Sequence, residues 1–184
     1  MDEVVWRWML PLRSPELTGL LAVWSELFRP RWIVLATVLF GLSRLWFSLG
    51  GRRLCVAYPA VAIGAAVTLT HLLKPVFDRP RPPEEYRLVA EVSGAMPSGH
   101  ATGAVALATV TTVVAVRFWW VLLVWLNAVA VMFTRLYLGV HWLSDVLVGA
   151  VVGVVVPLLV AVFLGCVWPA FREPVRVPPG GGTS

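Results

Sequence analysis

An all-α polytopic membrane bundle of about five transmembrane helices, preceded by an amphipathic helix, is the fold class this sequence predicts, and three observations predict it. Of 184 residues, 59% are hydrophobic and only 14% charged, and the mean hydropathy of +0.81 is far from that of a soluble domain. The apolar residues gather in runs close to the roughly 20 needed to cross a bilayer core about 30 Å thick. The polar residues concentrate in three short clusters between those runs.

Residues 1–29 read as an interfacial segment. The apolar stretch 17–28 is bounded by Arg13 and Arg29 and carries Glu26, so it is too short to span. It reads as an amphipathic helix at the membrane surface, with Trp6, Trp8 and Trp24 near the headgroups. The basic-then-apolar order of a cleavable signal peptide is missing, because Asp2 and Glu3 come first and Arg13 and Glu16 interrupt the apolar run. Residues 30–168 form the membrane domain, with spans expected at 32–49, 54–73, 101–116, 118–134 and 146–168. The third and fourth gain length if their helices extend into the flanking clusters. The tail 169–184, ending Val-Pro-Pro-Gly-Gly-Gly-Thr-Ser, reads as disordered.

Five spans put the connections after the second and fourth helices on the same side, so all three clusters share one surface. The opposite side carries Arg44, Arg52, Arg53, Arg117, Arg172 and Arg176 against Glu173. The cluster side holds nine Lys and Arg, but four lie in or beside the clusters, where anion binding explains them. The positive-inside rule then makes the Arg52/Arg53 turn cytoplasmic and the cluster surface extracytoplasmic, at the plasma membrane. Cys55 and Cys166 both fall in spans near the cytoplasmic end, where a structural disulfide is not expected. With three histidines, no Cys-x-x-Cys pair and no acidic cluster around the histidines, no metal site is expected either.

The first cluster, Lys74-Pro-Val-Phe-Asp-Arg-Pro-Arg81-Pro82, follows the second span directly. Its prolines are expected to stop the helix and present Lys74, Arg79 and Arg81 on a stiff loop. It is either a juxtamembrane basic run that meets headgroups or an anion clamp, in which arginine offers a planar fork to phosphate oxygens and lysine a point charge. In the second, Pro97-Ser98-Gly99-His100, Ser98 is the expected N-cap of the third span. The free N–H groups of that first turn make a phosphate site, Gly99 lets an anion approach the backbone, and His100 stands at its edge. Ordinary capping with an interfacial histidine is the plainer reading.

In the third cluster, Arg135-x5-His141-x3-Asp145, the histidine and aspartate are four apart and share a helix face. Asp145 can accept the Nδ1–H of His141 and leave Nε2 aimed at a phosphorus. A structural polar contact would also explain the pair, but Arg135 near the end of an apolar helix calls for a partner such as phosphate. Elsewhere, His71 reads as an interfacial or packing histidine, and Asn127 as an interhelical hydrogen-bonding residue. Asp78, Glu84, Glu85, Arg87 and Glu91 read as solvated loop charges or selectors of a headgroup, and the Gly149-x3-Gly153 pair as a close-packing site within the bundle.

The ordered set resembles the type 2 phosphatidic acid phosphatase (PAP2) superfamily, membrane phosphatases that share a catalytic core with vanadium haloperoxidases. The family's Lys-x6-Arg-Pro, Pro-Ser-Gly-His and Ser-Arg-x5-His-x3-Asp pattern is matched at Lys74, Arg81, Pro82, Pro97, Ser98, Gly99, His100, Arg135, His141 and Asp145, with Thr134 in place of the usual serine. The resemblance covers roughly 30–168. Many bacterial members have six spans, so the chain looks like a version without the first. The resemblance implies that His141 is the nucleophile forming a phosphohistidine, that Asp145 orients it, and that His100 protonates the leaving group and later activates water. It gives Lys74, Arg81, Ser98, Gly99 and Arg135 to the phosphate, with no metal and no cofactor. The implied substrate is a phosphorylated lipid among membrane lipids: an isoprenyl or undecaprenyl pyrophosphate, a phosphatidate, a phosphatidylglycerophosphate or a lipid A phosphate. No nucleic acid partner is expected, and the oligomeric state stays open. Transfer of the phosphoryl group to another lipid alcohol and non-catalytic lipid binding are the alternatives.

Overall fold

The computed structural model describes residues 1–47, 53–114 and 117–165, and among these the protein is all-helical. The α-helices in order are α1 (Asp2–Met9), α2 (Pro15–Leu27), α3 (Pro30–Phe47), α4 (Arg53–Phe77), α5 (Gly99–Val114), α6 (Phe118–Tyr137) and α7 (Leu143–Phe163). Three stretches, Val56–Phe77, Phe118–Tyr137 and Leu143–Phe163, are long and apolar enough to cross a membrane. The shorter apolar stretches Pro30–Ser43 and Gly99–Val114 belong to α3 and α5. The turn carrying Arg52, Cys166 and the tail 169–184 lie outside the described residues.

The shortest of these five helices is the central one. α5 is built from Ala, Gly, Thr and Val, is buried along most of its length and packs against α3, α4, α6 and α7. In lipid, apolar faces gain little by pairing, so close contact between small residues holds such helices together. The contact with α7 depends on Gly149 and Gly153, as the spacing predicts. A methyl group at 149 would stand 2.6 Å from the Ser98 carbonyl oxygen, and one at 153 would stand 2.8 Å from that of Thr102. The resulting approach lets the Thr102 hydroxyl reach Gly149 O at 3.0 Å, with the Thr70 hydroxyl 3.0 Å from it on α4. The outer face of α6, with Trp119, Trp120, Leu123 and Leu126, is left exposed for lipid.

Two sequence expectations are corrected here. α4 does not stop before the first cluster but runs through Lys74 and Pro75 to Phe77. Pro75 costs a backbone bond only in the final turn, and the helix closes when the Asp78 N–H donates to Lys74 O at 3.0 Å. Asp78 itself sits at φ 39°, the left-handed region that Asp tolerates better than most residues. Lys74 is therefore carried by a helix and not by a loop.

The N-terminal segment is also more than one surface helix. Its first turn is α1, which the sequence did not announce, followed by a 3-10 turn at Leu10–Leu12. Ser14 then caps α2, its Oγ accepting from Leu17 N at 3.2 Å, with Pro15 in the first helical position. Leu17, Leu21 and Ala22 of α2 pack against the buried Tyr137, Leu138 and Val140 at the end of α6. Trp6 does not meet headgroups freely, since its ring lies 5.1 Å from Tyr86 and 6.2 Å from Trp142; Trp8 and Trp24 stay exposed. Gly139, at φ +69°, makes the turn out of α6, and any side chain there would strike Tyr86 O.

Candidate active site

The end of the bundle bearing α1 and α2 gathers all three clusters. One cavity of about 180 Å³ is lined by Lys74, Arg81, Gly99, His100 and His141. Arg29, Arg31 and His71 line it too, along with Glu91 and Ser93. His71 is thus an exposed rim residue and not a packing one. Arg135, Ser98 and Asp145 are buried in the adjoining wall.

α4 supplies Lys74, whose ammonium donates to Ser93 Oγ at 3.0 Å and to Gly94 O at 2.6 Å. Arg81, in the long loop, donates from Nε to Ser93 O at 2.7 Å and from Nη1 to Val140 O at 2.7 Å. That leaves it poised over His141, with Nη1 3.2 Å from Nε2. A guanidinium only donates, so Nε2 must be the accepting, unprotonated ring nitrogen and the proton sits on Nδ1. Nδ1 faces Asp145 Oδ2 at 3.7 Å, too long for a hydrogen bond, and Asp145 Oδ2 instead takes the Trp142 N–H at 2.8 Å. The expected His141–Asp145 pairing is thus a close approach rather than a formed bond, and not one on a shared helix face, since His141 lies in the turn that precedes α7. Burial first, then the charges of Arg135, Arg81 and Lys74, hold the His141 imidazole well below its ordinary pKa.

Ser98 is the second departure. Its carbonyl accepts from Thr102 N at 2.9 Å, as at a helix start, but its buried Oγ has no partner and does not cap α5. Among the described residues six buried nitrogens also lack a hydrogen-bond partner: Trp6 Nε1, Arg13 Nη2, Arg29 Nε, His100 Nε2, Arg135 Nε and His141 Nδ1. Buried polar atoms are nearly always satisfied, so this concentration of exceptions at one end of the bundle marks a binding site. Asn127 Oδ1, far from it in mid-helix, is likewise buried and unpartnered, so it does not make the expected interhelical bond.

Arg135 shows what the sequence missed. Its Nη1 donates to Ser25 Oγ, from α2, and its Nη2 to Glu91 Oε1 at 2.7 Å. Glu91 also lies 3.8 Å from Arg81 Nη2. Far from being a solvated loop charge, Glu91 puts a carboxylate among the cations that the sequence assigned to an anion. A buried arginine in a lipid-facing bundle demands a counter-charge, but spacing could not single out Glu91 from the other acids of the loop. Arg13 ties the N-terminal segment to the end of α6 and to the long loop, donating to Tyr137 O at 3.0 Å and to Tyr86 O at 2.9 Å, while Ser14 N donates to the Tyr137 hydroxyl at 3.0 Å.

A helical membrane bundle that collects two histidines and several fixed cations at one end has the build of an integral-membrane phosphatase. Two solved structures share the fold. One is the first transmembrane PAP2 type phosphatidylglycerolphosphate phosphatase from Bacillus subtilis, with a TM-score of 0.75 and 24% identity over 88% of this chain and 83% of that one. The other is LpxE of Aquifex aeolicus, with a TM-score of 0.72 and 24% identity over 86% of this chain and 93% of that one. No curated protein matches the chain. Its family is nonetheless plain: the chain belongs to the PAP2 superfamily, whose family model matches residues 56–168.

Proposed function

We propose that the chain is a plasma-membrane lipid phosphatase with five spans, an extracytoplasmic active site and a phosphohistidine intermediate. It hydrolyses a phosphate monoester or pyrophosphate of a lipid. The observation that carries this reading is the shared cavity of His100 and His141, rimmed by Lys74 and Arg81 and closed by buried Arg135.

In the first step the lone pair of His141 Nε2 attacks phosphorus and the bond to the leaving oxygen breaks. His100 gives that oxygen a proton, and the lipid alcohol or phosphate departs. Arg81, which now donates to Nε2, swings its N–H onto a phosphoryl oxygen and frees the nucleophile. Lys74, Arg135, Ser98 Oγ and the Gly99 N–H hold the remaining equatorial oxygens, where charge builds up in the transition state. Asp145, one short movement from Nδ1, steadies the positive charge that the ring acquires. Water, deprotonated by His100, then attacks the phosphohistidine and inorganic phosphate leaves. The fixed cations do the charge stabilisation that a metal ion does in other phosphatases.

Phosphate release from phosphatidate, phosphatidylglycerophosphate and an isoprenyl pyrophosphate by the purified protein tests the reading. Turnover of at least one, with an acid-labile phosphoenzyme lost in His141→Ala, supports it; no turnover of any overturns it. Cysteine labelling in intact cells tests orientation, with residues 83–93 reactive from outside.

A further inference from the structure

Asp145 is gripped on the side away from His141. Its Oδ1 accepts from Arg79 Nη1 at 2.9 Å. The same guanidinium donates to the Ser144 hydroxyl and, through Nη2, to Asp2 Oδ2 at 2.6 Å. Asp2 completes the ring: its Oδ2 accepts the Ser144 hydroxyl proton at 2.6 Å, and its Oδ1 accepts the Ser144 backbone N–H at 3.0 Å. α1 thus puts a carboxylate on the first turn of α7, beside the residue that faces His141. Burial raises the pKa of Asp2, but the bonds from Ser144 and Arg79 outweigh it and hold the group below its ordinary value. Asp2, Arg79 and Ser144 stand outside the lining of the phosphate cavity.

The charges decide what this ring does. Arg79 alone would fix the plane of the Asp145 carboxylate but cancel its charge, and a neutral pair cannot steady a histidine that becomes cationic on phosphorylation. Asp2 restores the balance, since Asp145, Arg79 and Asp2 together carry one net negative charge. We infer that Asp2 and Arg79 are positioning residues for the His141–Asp145 pair. Arg79 holds the Asp145 carboxylate in place, and Asp2 neutralises Arg79 so that His141 still faces an effective anion. The inference rests on the reading of His141 as the nucleophile.

The full chain in nanodiscs would be assayed with p-nitrophenyl phosphate and with phosphatidate, and phosphoenzyme formation followed by rapid quench. Asp2→Asn should lower kcat and the rate of phosphoenzyme formation about tenfold while KM stays within twofold, because Lys74, Arg81 and Arg135 are untouched. Asp2→Glu should recover most of the loss. The Asp2→Asn/Arg79→Gln double variant should be no slower than Arg79→Gln alone, since the charge that Asp2 offsets has gone. Independent multiplication of the two losses, a change confined to KM, or an Asp2→Asn kcat within twofold of wild type would each overturn the inference. Should Asp2→Asn misfold, Arg79→Gln, which releases the Asp145 carboxylate on the same side, should show the same selective loss of kcat. Retained turnover in His141→Ala would instead overturn the underlying reading of the site.

Discussion

The backbone N–H of Ser98 donates to the backbone carbonyl of Asp145 at 3.0 Å. This bond ties the second cluster to the third across the α5–α7 contact, so the turn proposed to bind the anion and the residue behind the proposed nucleophile are joined directly. Neither side chain takes part, and Ser98 Oγ is left without a partner. Rigid placement of this kind is what preorganised charge stabilisation requires.

The two histidines should fail differently. His141→Ala should remove the phosphoenzyme and lower kcat by on the order of 10⁴ or more. His100→Ala should lose about 10²–10⁴ on a lipid alcohol leaving group, yet still become phosphorylated by p-nitrophenyl phosphate. A phosphoenzyme surviving in His141→Ala would exclude that residue as nucleophile.

Histidine-labelled NMR of the protein in micelles should resolve three imidazoles, since the chain has only three histidines. The His141 ring should remain neutral well below pH 6.5, because burial and the neighbouring cations depress its pKa. The unfolded chain, with a histidine pKa of about 6.5, then binds the proton first. Stability is therefore full above about pH 6.5 and declines as pH falls from there toward the folded-state pKa. Arg81→Gln should move the His141 titration upward; an unmoved midpoint near 6.5 in both proteins would contradict the electrostatic account.

If Arg135 and Arg81 hold the phosphate as proposed, Glu91, which now contacts both, should compete with the substrate for them. Glu91→Gln should lower the KM for phosphatidate and tighten orthophosphate inhibition about tenfold, equivalent to about 1.4 kcal/mol. The same change should lower the melting temperature without ligand, because a buried guanidinium loses its counter-charge. A raised KM would show that Glu91 serves substrate binding instead.

Gly149→Ala should destabilise the protein by about 1–3 kcal/mol, the usual cost of overpacking. It should also lower kcat, because the added methyl, 2.6 Å from Ser98 O, would push α7 and Asp145 away from α5. Thermal melting and steady-state kinetics on one preparation would measure both; an unchanged melting temperature would mean that the helices tolerate separation.

Activity should persist in excess EDTA, and vanadate should inhibit by occupying the cradle as a trigonal bipyramid bonded to His141. Arg135→Lys should cost about 10²–10³ in kcat, as a lysine cannot serve Ser25, Glu91 and a phosphoryl oxygen from one planar group. Activity that collapsed on chelation and returned with Mg²⁺ would require a different chemistry.

Much of this site was legible because the reacting groups recur at short fixed spacings. His141 and Asp145 are four residues apart, Ser98 and His100 stand at the start of a helix, and long apolar runs announce α4, α6 and α7. What escaped were partners chosen by tertiary packing. Asp2, Ser25 and Glu91 are ordinary polar residues with no local pattern, and only the folded chain brings them to Arg79 and Arg135. The α4 overrun was hidden by Pro75, which reads as a stop signal although a helix tolerates it in its last turn. The apolar count at 17–28 suggested a helix lying on lipid, whereas one side of it is dedicated to Tyr137 and Leu138.

The contacts between the N-terminal segment and the rest of the site also impose an order on biogenesis. Ser25 meets a partner 110 residues downstream, Arg13 one 124 residues downstream, and Asp2 one 142 residues downstream. α1 and α2 therefore wait for these downstream partners on the order of ten seconds at ordinary rates of synthesis. Until α7 has been made, Asp2 lacks Ser144 and Arg79 lacks Asp145, so the ring that joins α1 to α7 can close only late in synthesis.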